Sequence, residues 1–164
     1  MRLPTRKSEK NNLTPIDLHI TQQKYDELSA KFIKLKKSRP RLSDEVKRLS
    51  EMGDFSENAA YQIAKSKLRG LNRRLAETEY MLSHAVIILP PSQHVVDLGS
   101  KVVVEVNGQE KQYTILGSSE TDPLVGIISH NSPIGAALIG RQVGDVIKIK
   151  LKDREVVYKI IKIA

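Results

Sequence analysis

From residue 21 onward, apolar side chains recur at alternating spacings of three and four: Tyr25, Leu28, Phe32, Leu35, Leu42, Val46 and Leu49. Arg39 occupies one seam position and Gly53 ends the series. This heptad spacing predicts a helix with one apolar stripe, opened by Thr21 as N-cap. Pro40 is expected to kink or interrupt it, because proline has no N–H and crowds the preceding turn. A second heptad follows at Tyr61, Ala64, Leu68, Leu71, Leu75, Thr78, Leu82 and Ala85. Two seams joined by the short segment 53–58 predict an antiparallel coiled-coil hairpin over residues 21–85, with its tip at 53–58. At 1.5 Å per residue each arm makes a rod about 40 Å long.

After Ala85 the register changes. Residues 86–98, with Pro90-Pro91, read as a linker, and from residue 99 the apolar period becomes two. Strands are predicted at Lys101–Val106 and 112–116, with Asn107-Gly108 between them as a hairpin signal. A further strand is predicted at 124–129. Ser132-Pro133 reads as an N-cap and first-turn proline opening a short helix over 133–139, with Gly140 as its stop. Val146–Leu151 and 155–163 complete the set around a turn at Lys152-Asp153-Arg154. Residues 99–164 should therefore form a small, mostly antiparallel sheet with one helix. Residues 1–20 are polar, contain Pro4 and Pro15, and lack periodicity, which predicts a flexible N-terminal extension. The fold class is α+β: a helical hairpin followed by a small β domain.

The chain has 164 residues, room for one ordinary domain or two small ones. It contains no cysteine, which excludes disulfides and thiolate zinc sites. No apolar run approaches the roughly 20 residues that span a bilayer. The charged N-terminus lacks the hydrophobic stretch of a secretory signal, so a cytoplasmic location is expected. The four histidines, His19, His84, His94 and His130, show no ligand spacing and are expected on the surface or in packing.

Net charge is +8 with a pI near 9.7, which suggests a polyanionic neighbour. Between Lys31 and Arg74 there are 13 basic and five acidic residues, so the whole excess lies on the hairpin. Lys65, Arg69 and Arg73 recur at i, i+4 and i+8 on the second helix. Lys31, Lys34, Lys37, Arg41 and Arg48 add charge to the first. Like charges at i, i+4 oppose a helix by a few tenths of a kcal/mol, a cost more easily borne if an anion lies against them. Taken alone, such a run is more simply a solvated helix surface. Basic side chains of this kind contact phosphates without reading sequence.

Asp54 and Glu57 stand at the opposite end of the charge scale, three residues apart at the tip. Their spacing suits a capping box, with Asp54 accepting from the backbone and Glu57 reaching back. Ser56 could cap instead, leaving two outward carboxylates as oxygen ligands for a hard cation such as Mg²⁺. Two carboxylates are too few to hold Mg²⁺ tightly, so such a site would need completion by another protein. Spacing alone leaves both readings open.

Gly53-Asp54-Phe55-Ser56-Glu57-Asn58-Ala59-Ala60-Tyr61 closely resembles the tip of the bacterial Gre transcript cleavage factors. Asn131-Ser132-Pro133-Ile134-Gly135-Ala136-Ala137-Leu138-Ile139-Gly140 resembles the C-terminal signature of the same family. The two motifs come in the family's order, and the resemblance covers residues 20–164. The basic stretch from Tyr61-Gln62 to Arg73-Arg74 is more similar to the GreB branch than to GreA.

The resemblance implies an FKBP-like C-terminal domain that docks at the rim of the secondary channel of RNA polymerase, with Asn131, Ser132 and Pro133 at the contact. It implies a monomer whose coiled coil reaches down that channel to the catalytic Mg²⁺. Asp54 matches the first tip acid of the family and Glu57 the second. Together they would share a weakly held Mg²⁺ with the polymerase and orient a water for attack on backtracked RNA. Lys65, Arg69 and Arg73 would attract the extruded 3′ end of the nascent RNA. On this reading the chain has no cofactor of its own and is not an enzyme, but stimulates the polymerase's own hydrolysis. Two alternatives stand beside it: a channel-binding regulator or inhibitor that does not promote cleavage, and a generic coiled-coil interaction module. Tyr113 and Tyr158 are the only aromatics of residues 99–164, so FKBP-like here implies shape rather than prolyl isomerase activity.

Overall fold

The computed structural model describes residues 17–52, 59–151 and 154–164. The order along the chain is β1 (His19–Ile20), α1 (Gln22–Ser50), α2 (Ala59–His84), β2 (Val86–Ile87), β3 (Lys101–Val106), β4 (Gln109–Leu116), β5 (Ile127–Ser129), α3 (Pro133–Leu138), β6 (Val146–Leu151) and β7 (Arg154–Ile163). This is the α+β arrangement expected from the change of period.

Thr21 caps α1, its hydroxyl accepting the Lys24 N–H at 3.2 Å. Burial along both long helices follows the heptads. Leu28, Leu49, Ala64, Leu71 and Thr78 are buried, and the other described seam positions are half-buried, Arg39 excepted. Thr78, the polar member of the seam, satisfies its hydroxyl by donating to the Arg74 carbonyl at 2.7 Å. The helices run antiparallel: Arg39 Nε donates to Asn72 Oδ1 at 2.9 Å, and Phe32 and Lys36 lie opposite Leu75 and Glu79.

Helix α1 is not interrupted at Pro40. Proline removes one intrahelical hydrogen bond and presses its ring on the preceding turn. Here the ring lies on an exposed face, and seam residues on both sides of it pack against α2. A groove of about 420 Å³ beside it, lined by Phe32, Lys36, Arg39, Pro40, Leu75 and Glu79, marks where Arg39 leaves the seam unfilled.

The β domain is a five-stranded sheet in the order β5-β4-β3-β7-β6, antiparallel except where β5 runs parallel to β4. Strands β3 and β4 meet in the expected hairpin, with Asn107 at φ 52° and Gly108 at φ 76°. Both central residues at positive φ match a turn whose twist suits paired strands. The inward faces contribute Val102, Val104, Ile115, Ile147, Ile149, Tyr158 and Ile160 to one core, closed by Leu138 of α3. Ser132 caps α3 by accepting the Gly135 N–H at 3.0 Å, with Pro133 in the first turn.

Three expectations need correction. The predicted strand over 124–129 is only half extended. The Asp122 carboxylate accepts the Leu124 N–H, Pro123 favours a turn, and Gly126 takes the left-handed conformation. Residues 123–125 therefore coil into a 3-10 turn, and pairing begins at Ile127. The extension assigned to residues 1–20 is too long. Within it, β1 pairs in parallel with β2, and Ile20 is 1% exposed. Lastly, 86–98 is not merely a linker. Val86 and Ile87 form β2, and Val96 is buried in the β-domain core, exchanging backbone hydrogen bonds with Gly140 and Arg141 at 2.8 Å. In both segments the strand is too short to carry a period, so only its distant partner defines it.

Candidate functional site

The rod presents its basic residues to solvent. Lys65, Arg69 and Arg73 are all exposed on α2, as the i, i+4, i+8 spacing requires of one helix face. Arg73 approaches Glu77 at 3.6 Å, an exposed pair worth little against screening by water and salt. Lys65 Nζ lies 5.4 Å from the centre of the Tyr61 ring. Lys31, Lys34, Lys37, Arg41 and Arg48 are likewise exposed on α1. The structure therefore places the expected basic stripe on an exposed surface.

Helix α1 ends at Ser50 and α2 begins at Ala59, and these two helix ends form the part of the rod farthest from the β domain. Asp54 and Glu57, the residues assigned to catalysis and to Mg²⁺, fall outside the described residues. Their donor chemistry, two carboxylates on one short connection, suits a hard cation held in part by other ligands.

At the other end, the three residues assigned to polymerase contact occupy the loop and first turn leading into α3. Asn131 and Pro133 are exposed. The Asn131 N–H donates to Ser129 Oγ at 3.0 Å, and the Ser132 hydroxyl is committed to its cap. Asn131 and Pro133 therefore offer surface, whereas Ser132 positions them.

The junction between rod and β domain contains residues that no sequence pattern marks. Thr21 donates through both N–H and Oγ1–H to the two oxygens of Glu120, at 2.7 and 2.6 Å. Four residues earlier in the chain, Asp17 accepts the Ser118 N–H at 2.6 Å and the His19 N–H at 3.2 Å. Desolvation pushes the Asp17 carboxyl upward, but the hydrogen bonds from Ser118 and His19 outweigh it and hold the pKa at about 2. Gly117 allows this approach, because a Cβ there would overlap the His19 carbonyl oxygen. The Thr21–Glu120 and Asp17–Ser118 contacts join residues 99 and 101 positions apart, and no local spacing signals them. The Thr21 cap is legible in the sequence; its second partner is not.

Among the described residues, no helix is long and apolar enough to cross a membrane.

Comparison with known proteins finds similarity along nearly the whole chain. Residues 18–87 match the family described as transcription elongation factor, N-terminal, and residues 91–164 match transcription elongation factor, GreA/GreB, C-term. The chain is 40% identical over 150 residues to transcription elongation factor GreA of Nautilia profundicola, covering 88% of this chain and 92% of that one. It is 36% identical over 148 residues to GreA of Nitratiruptor sp., covering 88% and 91%. A crystal structure of GreA factor homolog 1 from Thermus thermophilus aligns at 25% identity and a TM-score of 0.43, covering 90% of this chain and 99% of that one. Both sequence relatives carry the GreA name, so the lean toward the GreB branch is not confirmed.

Proposed function

The chain belongs to the GreA/GreB family of transcription elongation factors, and from that premise we propose that it rescues backtracked RNA polymerase by stimulating cleavage of the RNA 3′ end. The β domain docks on the polymerase at the rim of the secondary channel, with Asn131 and Pro133 on the contacting surface. The rod enters the channel as a monomer and carries the segment 53–58 to the active centre. The observation that supports this reading most directly is the two-helix shaft, slender and basic, bearing an acid pair on its distal connection.

In this reading each part of the shaft has a separate task. Lys65, Arg69 and Arg73 draw the extruded RNA along the rod by phosphate contact, independently of sequence. Asp54 and Glu57 place two carboxylate oxygens beside the scissile phosphodiester and orient the attacking water. Asp54 and Glu57 would hold Mg²⁺ jointly with the polymerase, and the ion would supply charge neutralisation at the phosphate. The chain alone is then not an enzyme: it completes a site whose remaining ligands belong to the polymerase.

The test is a backtracked-complex assay with the full chain. Asp54→Asn and Glu57→Gln should abolish RNA shortening while still competing with wild type for polymerase. Replacing Lys65, Arg69 and Arg73 with Gln should weaken engagement and flatten its salt dependence, by roughly 0.7 in the log–log slope for each single-strand phosphate no longer neutralised. Undiminished cleavage by both tip variants would remove the metal role. Inhibition by wild type with no shortened RNA would select the regulator reading instead.

A further inference from the structure

Asp17, His19 and His130 are far apart in sequence or placed without ligand spacing, yet the fold gathers one ligand atom from each within 4.8 Å of the others. His19 Nδ1 lies 2.9 Å from Asp17 Oδ1, and His130 Nδ1 lies 3.4 Å from Asp17 Oδ2. The two imidazole rings meet edge to face at 5.7 Å between centres. In a tetrahedral zinc site with metal–ligand bonds of about 2.0–2.1 Å, neighbouring ligand atoms are about 3.3 Å apart. The two distances from imidazole nitrogen to carboxylate, one to each Asp17 oxygen, bracket that value, and the whole set lies within 4.8 Å, a spacing that small rotations of the exposed His19 ring can close.

We propose that Asp17, His19 and His130 form a binding site for a borderline divalent transition ion, Zn²⁺ above all, that fastens the N-terminal segment to the β domain. Two imidazoles and one carboxylate are a donor set of the kind that binds zinc with water in the fourth position. Imidazole nitrogen also separates this site from the tip, because Mg²⁺ prefers oxygen and keeps its waters. The carboxylate is already oriented from behind by the N–H groups of Ser118 and His19, the outer support that a ligating group requires. The Asp17 side chain is only 6% exposed, whereas the rings of His19 and His130 are 42% and 21% exposed. The cluster therefore has a buried anionic base and an open side through which an ion and its water can enter.

The position gives binding a mechanical consequence. Asp17 and His19 belong to the segment that leads through Thr21 into α1, while His130 follows β5. An ion held by all three bridges the root of the rod to the β domain, beside the Thr21–Glu120 hydrogen bonds. Binding only to the folded state raises stability by RT ln(1 + [L]/Kd). This proposal stands independently of the proposed function, since it concerns neither the tip nor polymerase.

The full chain, freed of metal by a chelator and returned to a non-chelating buffer, should be titrated with Zn²⁺ by calorimetry. One ion per chain is expected, with a rise in Tm on binding. His19→Gln and His130→Gln should each weaken binding by at least about tenfold. His84→Gln and His94→Gln, which lie outside the cluster, should leave it unchanged. Circular dichroism establishes that each variant is folded. Co²⁺ used as a spectroscopic probe should give visible absorption of a low-symmetry nitrogen–oxygen site, lost in His130→Gln. Equal binding by wild type and a folded double variant, or displacement of Zn²⁺ by millimolar Mg²⁺, would overturn the assignment, as would the absence of any saturable binding.

Discussion

Along the rod, burial is confined to a single seam between two helices; the small Ala64 is 2% exposed, but the seam leucines Leu28, Leu49 and Leu71 retain 8–9%. In the β domain, Val102, Val104, Ile115 and Leu138 reach 0%, enclosed by strands that lie far apart in the chain. The rod thus obtains its shape from contacts repeated every turn, and the β domain from contacts that form only when distant strands pair. A two-helix rod has little surface to hide, so it can devote its outer faces to charge. The β domain supplies the closed core. This difference explains how one short chain combines a slender probe with a stable base.

Truncating the two cores should separate them most clearly. Leu138→Ala removes a fully enclosed side chain that the surrounding sheet cannot collapse upon, and should cost about 3–5 kcal/mol, near the upper end for such changes. Leu71→Ala, on a seam open at both sides, should cost about 2–3 kcal/mol, because neighbouring side chains and water can fill the gap. Urea unfolding of both variants checks the order, and equal losses would mean that the rod is packed as tightly as the sheet.

At the junction, Gly117→Ala should cost about 1–3 kcal/mol, as expected for a methyl forced into a closed contact. Its particular signature is faster amide exchange at Ser118 and Thr21, whose N–H groups donate to Asp17 and Glu120. Normal protection at both amides would show that the two halves are joined by something else. The smallest effect is expected inside the rod. Gly70 lies within α2 with open space where a Cβ would stand. Gly70→Ala should therefore raise stability by about 0.5–1 kcal/mol, read as a higher Tm with the β-domain spectrum unchanged.

The legibility of each region follows the same division. The seam from Tyr25 to Ala85 is readable because a helix brings residues three and four apart to one face regardless of what lies around it. The Asn107-Gly108 turn and the Ser132 cap are readable for the same reason, since their hydrogen bonds close within a few residues. At Pro40 only the tertiary structure shows that the helix continues, because propensity counts the absent hydrogen bond but not the packing of α1 on α2. Residues 123–125 mislead because apolar alternation cannot reveal that Asp122 will cap the backbone two residues on.

The candidate sites divide likewise. Position in sequence is enough to set Lys65, Arg69 and Arg73 on one face and to put Asp54 and Glu57 between the helices. Nothing in the local sequence near Asp17 points to Ser118, near Thr21 to Glu120, or near His19 to His130. What the chain by itself determined were the elements whose hydrogen bonds and apolar faces close within a turn or two. What only the tertiary structure decided was the junction, because contacts between residues about a hundred positions apart exist only after both domains have formed and Gly117 has let their backbones meet.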